Sequence, residues 1–193
     1  MTAQGPPVIL VSGLPRSGSS MMMRMLEAGG VPILTDGVRK PDEDNPNGYY
    51  EFERAKRLND DLSWVGDARG KAVKLLYCPV IYRLPAAYQY KVIFMRRDLG
   101  EVVASQFAML RRKGVNDVPD DPTRIVTAYQ AELEKVTRWL AAQSNVETVY
   151  IDYNQTLADG PETCATVKRF LGIDLHEIRM EAVIARSLYR QRV

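Results

Sequence analysis

Apolar and polar positions along the chain fall into short blocks that alternate between two periods. Val8 to Val11 is an unbroken apolar run, which predicts a strand covered on both faces. Met21, Met22, Met25 and Leu26 then recur at helical spacing. Residues 29–34 predict a short strand after a helix ended by glycines. Ala72 to Tyr77 and Lys91 to Met95 predict two more buried strands. A helix from Glu53 to Leu62 precedes them, and a short helical turn within Cys78 to Ala87 separates them. A helix over Gly100 to Lys113 stacks Val102, Val103, Phe107 and Leu110 on one face. Asp121 as N-cap and Pro122 at N1 open a long amphipathic helix carrying Ile125, Tyr129, Leu133, Val136 and Leu140. Glu147 to Ile151 predicts the last strand, and Gly160-Pro161 opens a helix through Leu171. Leu175 to Val193 is basic and partly helical. Thr35 to Gly48 and Asn116 to Asp121 are polar loops, the first punctuated by Pro41, Pro46 and Gly48.

Strands alternating with helices predict βαβ units, hence a central, mostly parallel sheet flanked by helices in a three-layer α/β fold, within one domain over residues 1–193. Ligands of such sheets sit beyond the carboxyl ends of the strands. Arg16, Lys74, Arg97 and Tyr153 all fall at or just past such ends.

Composition narrows the classes. The chain is 46% hydrophobic and 26% charged with a net charge of +2, so no general polyanion-binding or nucleic-acid role is implied. No apolar run approaches the ~18–20 residues of a membrane span, and the first residues lack the pattern of a signal peptide. Cys78 and Cys164 have no metal-ligand spacing, which with the missing signal peptide predicts reduced thiols and a cytoplasmic location. His176 is the only histidine, so Ser-His-Asp catalysis and multi-histidine metal sites are set aside, and no metal site is expected.

Candidate chemistry begins at the turn Gly13-Leu14-Pro15-Arg16-Ser17-Gly18-Ser19-Ser20. Strand, glycine-bearing turn and helix start together form an anion cradle of backbone N–H groups and helix dipole. A Walker A loop would read G-x-x-x-x-G-K-[ST]. Gly13 and Gly18 have that spacing, but Ser19 stands where the lysine belongs and Arg16 is the nearest cation. This predicts an oxyanion site without a metal; the plain alternative is a turn that happens to carry Gly and Ser. A second candidate is Arg97, with Ser105 eight residues on across a strand-to-helix turn, a spacing that brings guanidinium and hydroxyl to one phosphate. The alternative there is a surface ion pair beside a packed serine.

Pro15-Arg16-Ser17-Gly18-Ser19-Ser20 resembles the P-[KR]-S-G-[ST]-[ST] loop of the sulfotransferases that use 3′-phosphoadenylyl sulfate (PAPS). The segment Lys91 to Asp98 with Ser105 resembles their 3′-phosphate clamp, and Val149 to Tyr153 the strand before their Y-E-D-L-type turn. The resemblance extends in pieces from Val8 to Gly172. It implies PAPS as co-substrate and PAP as product. Pro15, Arg16, Ser17, Gly18, Ser19 and Ser20 would lie at the 5′-phosphosulfate, Arg97 and Ser105 at the 3′-phosphate, and Tyr153 near adenine. It places Lys74 at the leaving group together with Arg16. The histidine base of cytosolic members corresponds to Leu76 here. Bacterial relatives carry N-P-x-G-[YF]-[YF]-E, matched by Asn45-Pro46-Asn47-Gly48-Tyr49-Tyr50-Glu51, which implies Glu51 as general base, with Glu53 second. The chain departs from the family at Asp98-Leu99-Gly100, at Met21 where an aromatic is usual, and in lacking R-K-G-x-x-G; Arg190 and Arg192 are the cations left to replace it. The expected partner is a small-molecule, sugar or peptide acceptor that takes the sulfuryl group on a hydroxyl or an amine. Two rivals stand beside this reading: a P-loop kinase or nucleotide-binding protein with an altered loop, and a silent binding protein on the same fold.

Overall fold

In the computed structural model, residues 5–57, 61–76, 79–115 and 121–184 are described. Five strands form one sheet: β1 (Val8–Gly13), β2 (Ile33–Leu34), β3 (Ala72–Lys74), β4 (Tyr90–Arg96) and β5 (Val146–Asp152), in the order β2-β3-β1-β4-β5. Every pairing is parallel, so the mostly parallel sheet expected from the sequence is parallel throughout its described strands.

Alternation along the strands builds two cores. Val8 and Leu10 of β1 join Val92 and Phe94 of β4 on one face, over Trp64 and Ile81, with Val136 and Leu140 of α4 (Thr123–Ala142). Ile9 and Val11 join Ile93 and Met95 on the other, against α1 (Ser19–Ala28), α6 (Gly160–Leu171) and α7 (Glu177–Ala182). Strands buried on both faces are apolar at nearly every position, and β1 is buried over all six residues with Ser12 its one polar side chain. The remaining helices are α2 (Trp64–Asp67), α3 (Leu99–Arg112) and α5 (Tyr153–Ala158).

One predicted helix differs. The helix expected over Glu53 to Leu62 is a 3₁₀ turn at Glu53–Arg57. Its buried residue is Ala55, whose N–H donates to the carbonyl of buried Phe52 three residues before, the bond pattern of such a turn. The expected turn within Cys78 to Ala87 is a 3₁₀ helix at Pro79–Arg83. Leu58 to Asp60, Tyr77, Cys78, Asn116 to Asp120, Arg190 and Arg192 lie outside the described residues. At the start of α4, Pro122 already has helical dihedrals (φ −69°, ψ −17°), and the Asp121 carboxylate accepts the Thr123 N–H at 2.9 Å. The Asp-Pro cap thus operates as the sequence implied, one residue ahead of the assigned boundary.

From β1 the chain turns to β2 and β3 on one side and later places β4 on the other. The order therefore reverses between β1 and β4, and the crevice beyond their carboxyl ends is where such a sheet takes a ligand.

Candidate active site

The loop after β1 and the start of α1 line that crevice. Gly18 is the N-cap of α1 at φ +97°, with no side-chain cap and no acid in the first turn. The first amide N–H groups of α1 are thus left for an outside anion. A Cβ on Gly18 would lie 2.4 Å from the Tyr153 ring, so only glycine lets the loop run this close to α5. Arg16, also in the left-handed region at φ 72°, turns its carbonyl to Arg97 Nη1 (3.0 Å) while its own Nε donates to Ser105 Oγ (2.9 Å). Ser17 is buried, and its hydroxyl and N–H both donate to the Leu14 carbonyl, so its side chain closes the loop from inside.

Arg97 follows β4 and is fixed from three sides. Its Nε donates to Glu101 Oε2 at 2.8 Å in a buried ion pair, its Nη1 to Arg16, and its Cζ lies 4.6 Å from the Tyr153 ring centroid. Glu101 in turn accepts from Asn154 Nδ2 at 3.1 Å. Asp98 caps α3 by accepting the Glu101 N–H, which sets the turn between Arg97 and Ser105. Burial pushes the Tyr153 hydroxyl pKa up.

Lys74 ends β3, beside Val11 of β1, and its Nζ donates to Ser20 Oγ (3.0 Å) and the Tyr49 carbonyl (2.8 Å). Its residue is only 7% exposed. Burial pushes its ammonium down to about 8, against the pull of Glu51 and helped by repulsion from Arg39, Arg16 and Lys56. Asn45 steadies the same corner by donating to Ser20 Oγ (2.9 Å) and the Gly48 carbonyl (2.6 Å).

Glu51, 8% exposed, has both carboxylate oxygens paired: Oε1 with Arg39 and Oε2 with Lys56, each at 2.7 Å. Burial raises its pKa, but the Lys56 hydrogen bond and the charges of Arg39, Lys56 and Lys74 outweigh it and hold the carboxyl below its ordinary value. Glu53 pairs with Lys56 at 2.5 Å. Arg39 Cζ lies 3.3 Å from the Tyr49 ring centroid, and the Tyr49 hydroxyl donates to Asp42 at 2.6 Å. Burial first, then that bond, pushes the Tyr49 hydroxyl up to about 12.

These groups share one cleft of about 350 Å³, within the range of about 300–1,000 Å³ typical of small-molecule sites. Pro15, Arg16, Gly18, Ser19, Ser20, Glu51, Lys74, Arg97, Ser105 and Tyr153 all line it; of the described residues proposed from sequence, Ser17 and the second candidate base, Glu53, do not. Sequence reasoning missed Arg39, Glu101, Asn154 and the Asp44–Arg112 ion pair, which ties the 35–48 segment to α3. Only Glu101 left a trace in the sequence, four residues after Arg97 on a helix.

Residues 6–191 match the model of the sulfotransferase domain family. The chain belongs to that family. Solved sulfotransferases share the fold at low identity. The crystal structure of mouse sulfotransferase SULT7A1 complexed with PAP has a TM-score of 0.54 and 22% identity, covering 94% of this chain and 63% of that one. The sulfotransferase domain from the Synechococcus PCC 7002 olefin synthase gives 0.54 and 15%, over 98% and 82%. The sulfotransferase from Alicyclobacillus acidocaldarius gives 0.53 and 14%, over 97% and 100%. This sulfotransferase-family chain thus spans under two thirds of the mouse protein's length. No curated protein sequence matches it. Among the described residues, no helix is long and apolar enough to cross a membrane.

Proposed function

We propose that the protein transfers a sulfuryl group from PAPS to a hydroxyl of a small-molecule, sugar or peptide acceptor. The observation that carries this reading is the meeting of two anion-binding ends at one place: Arg97 bonds to the Arg16 carbonyl while Arg16 bonds to Ser105. Two features of the cleft suit a nucleotide. Gly18 lets the loop and its helix start come up against Tyr153 without a side chain between them, and the buried Oε1 of Gln106, in the cleft wall, has no hydrogen-bond partner among the described residues and can accept from a ligand N–H.

The donor supplies a sulfuryl group already on a good leaving group: the S–O bond to the 5′-phosphate breaks, one to the acceptor oxygen forms, and PAP and a proton leave. The protein's part is positioning and charge stabilisation. Arg97 and Ser105 hold the 3′-phosphate, with Tyr153 beside the base. The N–H groups of α1, with Ser19 and Ser20, hold the 5′ end, and Arg16 and Lys74 take up the charge that grows on the leaving oxygen. Glu51 receives the acceptor's proton. Its lowered pKa makes it ionised at neutral pH but a weak base, so its share falls at the low end of the usual ~10²–10⁴-fold.

The test is a thermal-shift titration with PAP and, separately, ATP-Mg²⁺, followed by radiolabel transfer from [³⁵S]PAPS. Stabilisation by PAP with label transfer supports the proposal. Stabilisation by ATP-Mg²⁺ alone would favour a kinase-like nucleotide site, and PAP binding without transfer to any acceptor a silent binding protein.

A further inference from the structure

Arg39 lines the cleft, yet holding the donor and stabilising its leaving group leave it no role. It lies on the 35–48 segment, its Cζ 3.3 Å from the Tyr49 ring centroid and its Nη1 2.7 Å from Glu51 Oε1. Tyr49 is held in turn by its bond to Asp42. The guanidinium is therefore fixed by a ring that is itself fixed, which keeps it in place even without Glu51. The side chain of Arg39 is 34% exposed and that of Glu51 8%. A molecule entering the cleft thus meets the guanidinium before the carboxylate behind it. Arg24 of α1 lines the same cleft and makes no hydrogen bond or ion pair among the described residues.

We propose that Arg39 recognises the acceptor, and that the acceptor is a hydroxyl compound carrying an anionic group which replaces Glu51 on Arg39. The proposal rests on the reading of Glu51 as the group facing the acceptor hydroxyl. A guanidinium fork accepts a carboxylate, phosphate or sulfate in two parallel bonds, so the exchange keeps the cation satisfied. The exchange also removes one of the two cations now paired with Glu51, leaving Lys56 on the other oxygen. The freed oxygen then takes the proton from the acceptor hydroxyl. Anion recognition at one end of the acceptor thereby unmasks the base at the other, and neutral alcohols leave it masked.

The experiment is calorimetry on the full chain loaded with PAP, using two matched pairs as probes: 4-hydroxyphenylacetate against 4-hydroxyphenylacetamide, and glucuronate against glucose. The carboxylate member of at least one pair is expected to bind about tenfold or more tightly than its neutral partner, the scale of one charge-assisted bond. Arg39→Gln should abolish that preference and Arg39→Lys should keep part of it; at about pH 6.5, where Lys74 is charged with or without Arg39, PAP affinity should stay within about twofold in both, which also shows that the variants fold. Equal binding within both pairs, no binding by any probe, or a preference that survives in Arg39→Gln overturns the proposal. Failure of the wild-type chain to bind PAP at all sinks the donor reading itself, an outcome read in the first titration and so distinct from the others.

Discussion

Arg16 donates its Nε–H to Ser105 Oγ at 2.9 Å, joining the loop after β1 to α3 across 89 residues of sequence. In the proposed donor site each residue serves a different phosphate of the same nucleotide. Their direct bond means that the two ends of the cleft are organised as one unit before any ligand arrives. Removing either partner should loosen both ends. In a double-mutant cycle with Arg16→Ala and Ser105→Ala, the losses in PAP affinity should therefore fall short of additivity by about 0.5–3 kcal/mol. Strict additivity, measured by calorimetry, would show that the two residues bind independently.

Lys74 should make donor binding depend on pH. Burial pushes its ammonium down to about 8, so around that pH the unliganded protein holds a mixture of charged and neutral lysine. A bound phosphate favours the charged form, so binding draws a proton in. PAP affinity should be steady below about 7 and weaken as pH rises through 8. Calorimetry in two buffers of different ionisation heat should register proton uptake near pH 8. Lys74→Met should bind more weakly and lose the pH dependence. For stability alone the sign is opposite: a depressed lysine pKa lets the unfolded chain bind more protons between about 8 and 10.5, so stability from this group rises with pH across that window.

Gly18 is the position where backbone and packing agree on a single residue. Its φ of +97° strains any L side chain, and an added Cβ would lie 2.4 Å from the Tyr153 ring. Gly18→Ala should cost roughly 1–3 kcal/mol, or about 2–4 °C of melting temperature per kcal/mol for a chain of this size. It should also displace Tyr153 from its place under Arg97, weakening PAP binding more than it lowers Tm. Differential scanning fluorimetry with and without PAP separates the two effects.

Much of this architecture could be read from local pattern. β1 and β4 are apolar at nearly every position because they are covered on both faces, and α6 carries its own start and stop in Gly160-Pro161 and Gly172. What escaped was set by partners distant in the chain. Trp64 sits in a four-residue helix too short to show a period, and it is placed by an edge-on contact with Phe52 (5.7 Å). Arg39 lies in a segment with no repeating pattern, and its meaning comes from Tyr49 and Glu51. Ser17 matched a phosphate-loop motif by position, but the side chain direction, inward to Leu14, is a tertiary fact.

Glu101 shows how a positioning residue can be told from one that touches the nucleotide. It is buried, pairs with Arg97 and accepts from Asn154, and does not line the cleft. Glu101→Ala leaves the Arg97 charge buried without its carboxylate, which should cost about 3–5 kcal/mol. Glu101→Gln keeps the shape and one acceptor and should cost less. In both variants affinity for PAP should fall further than affinity for adenosine 5′-phosphosulfate, which lacks the 3′-phosphate. Equal loss for the two nucleotides would mean that Arg97 does not serve the 3′ end.

Glu51 carries opposing demands. A proton acceptor works best with a pKa near the working pH, yet Arg39 and Lys56 hold this carboxyl below its ordinary value. Such a group is ionised throughout the neutral range, so the acid limb of kcat/KM, which reports the free enzyme, should lie below the ordinary glutamate range. Glu51→Gln should lower turnover by about 10²-fold, leave PAP affinity within about twofold, and remove that limb. The same change frees Arg39 and Lys56 from their carboxylate. If Glu51 served only to neutralise these cations, Lys56→Met in the Glu51→Gln background would restore turnover by removing the surplus charge. As a base, it cannot be rescued that way, and the double variant should stay as slow as the single one in a [³⁵S]PAPS transfer assay.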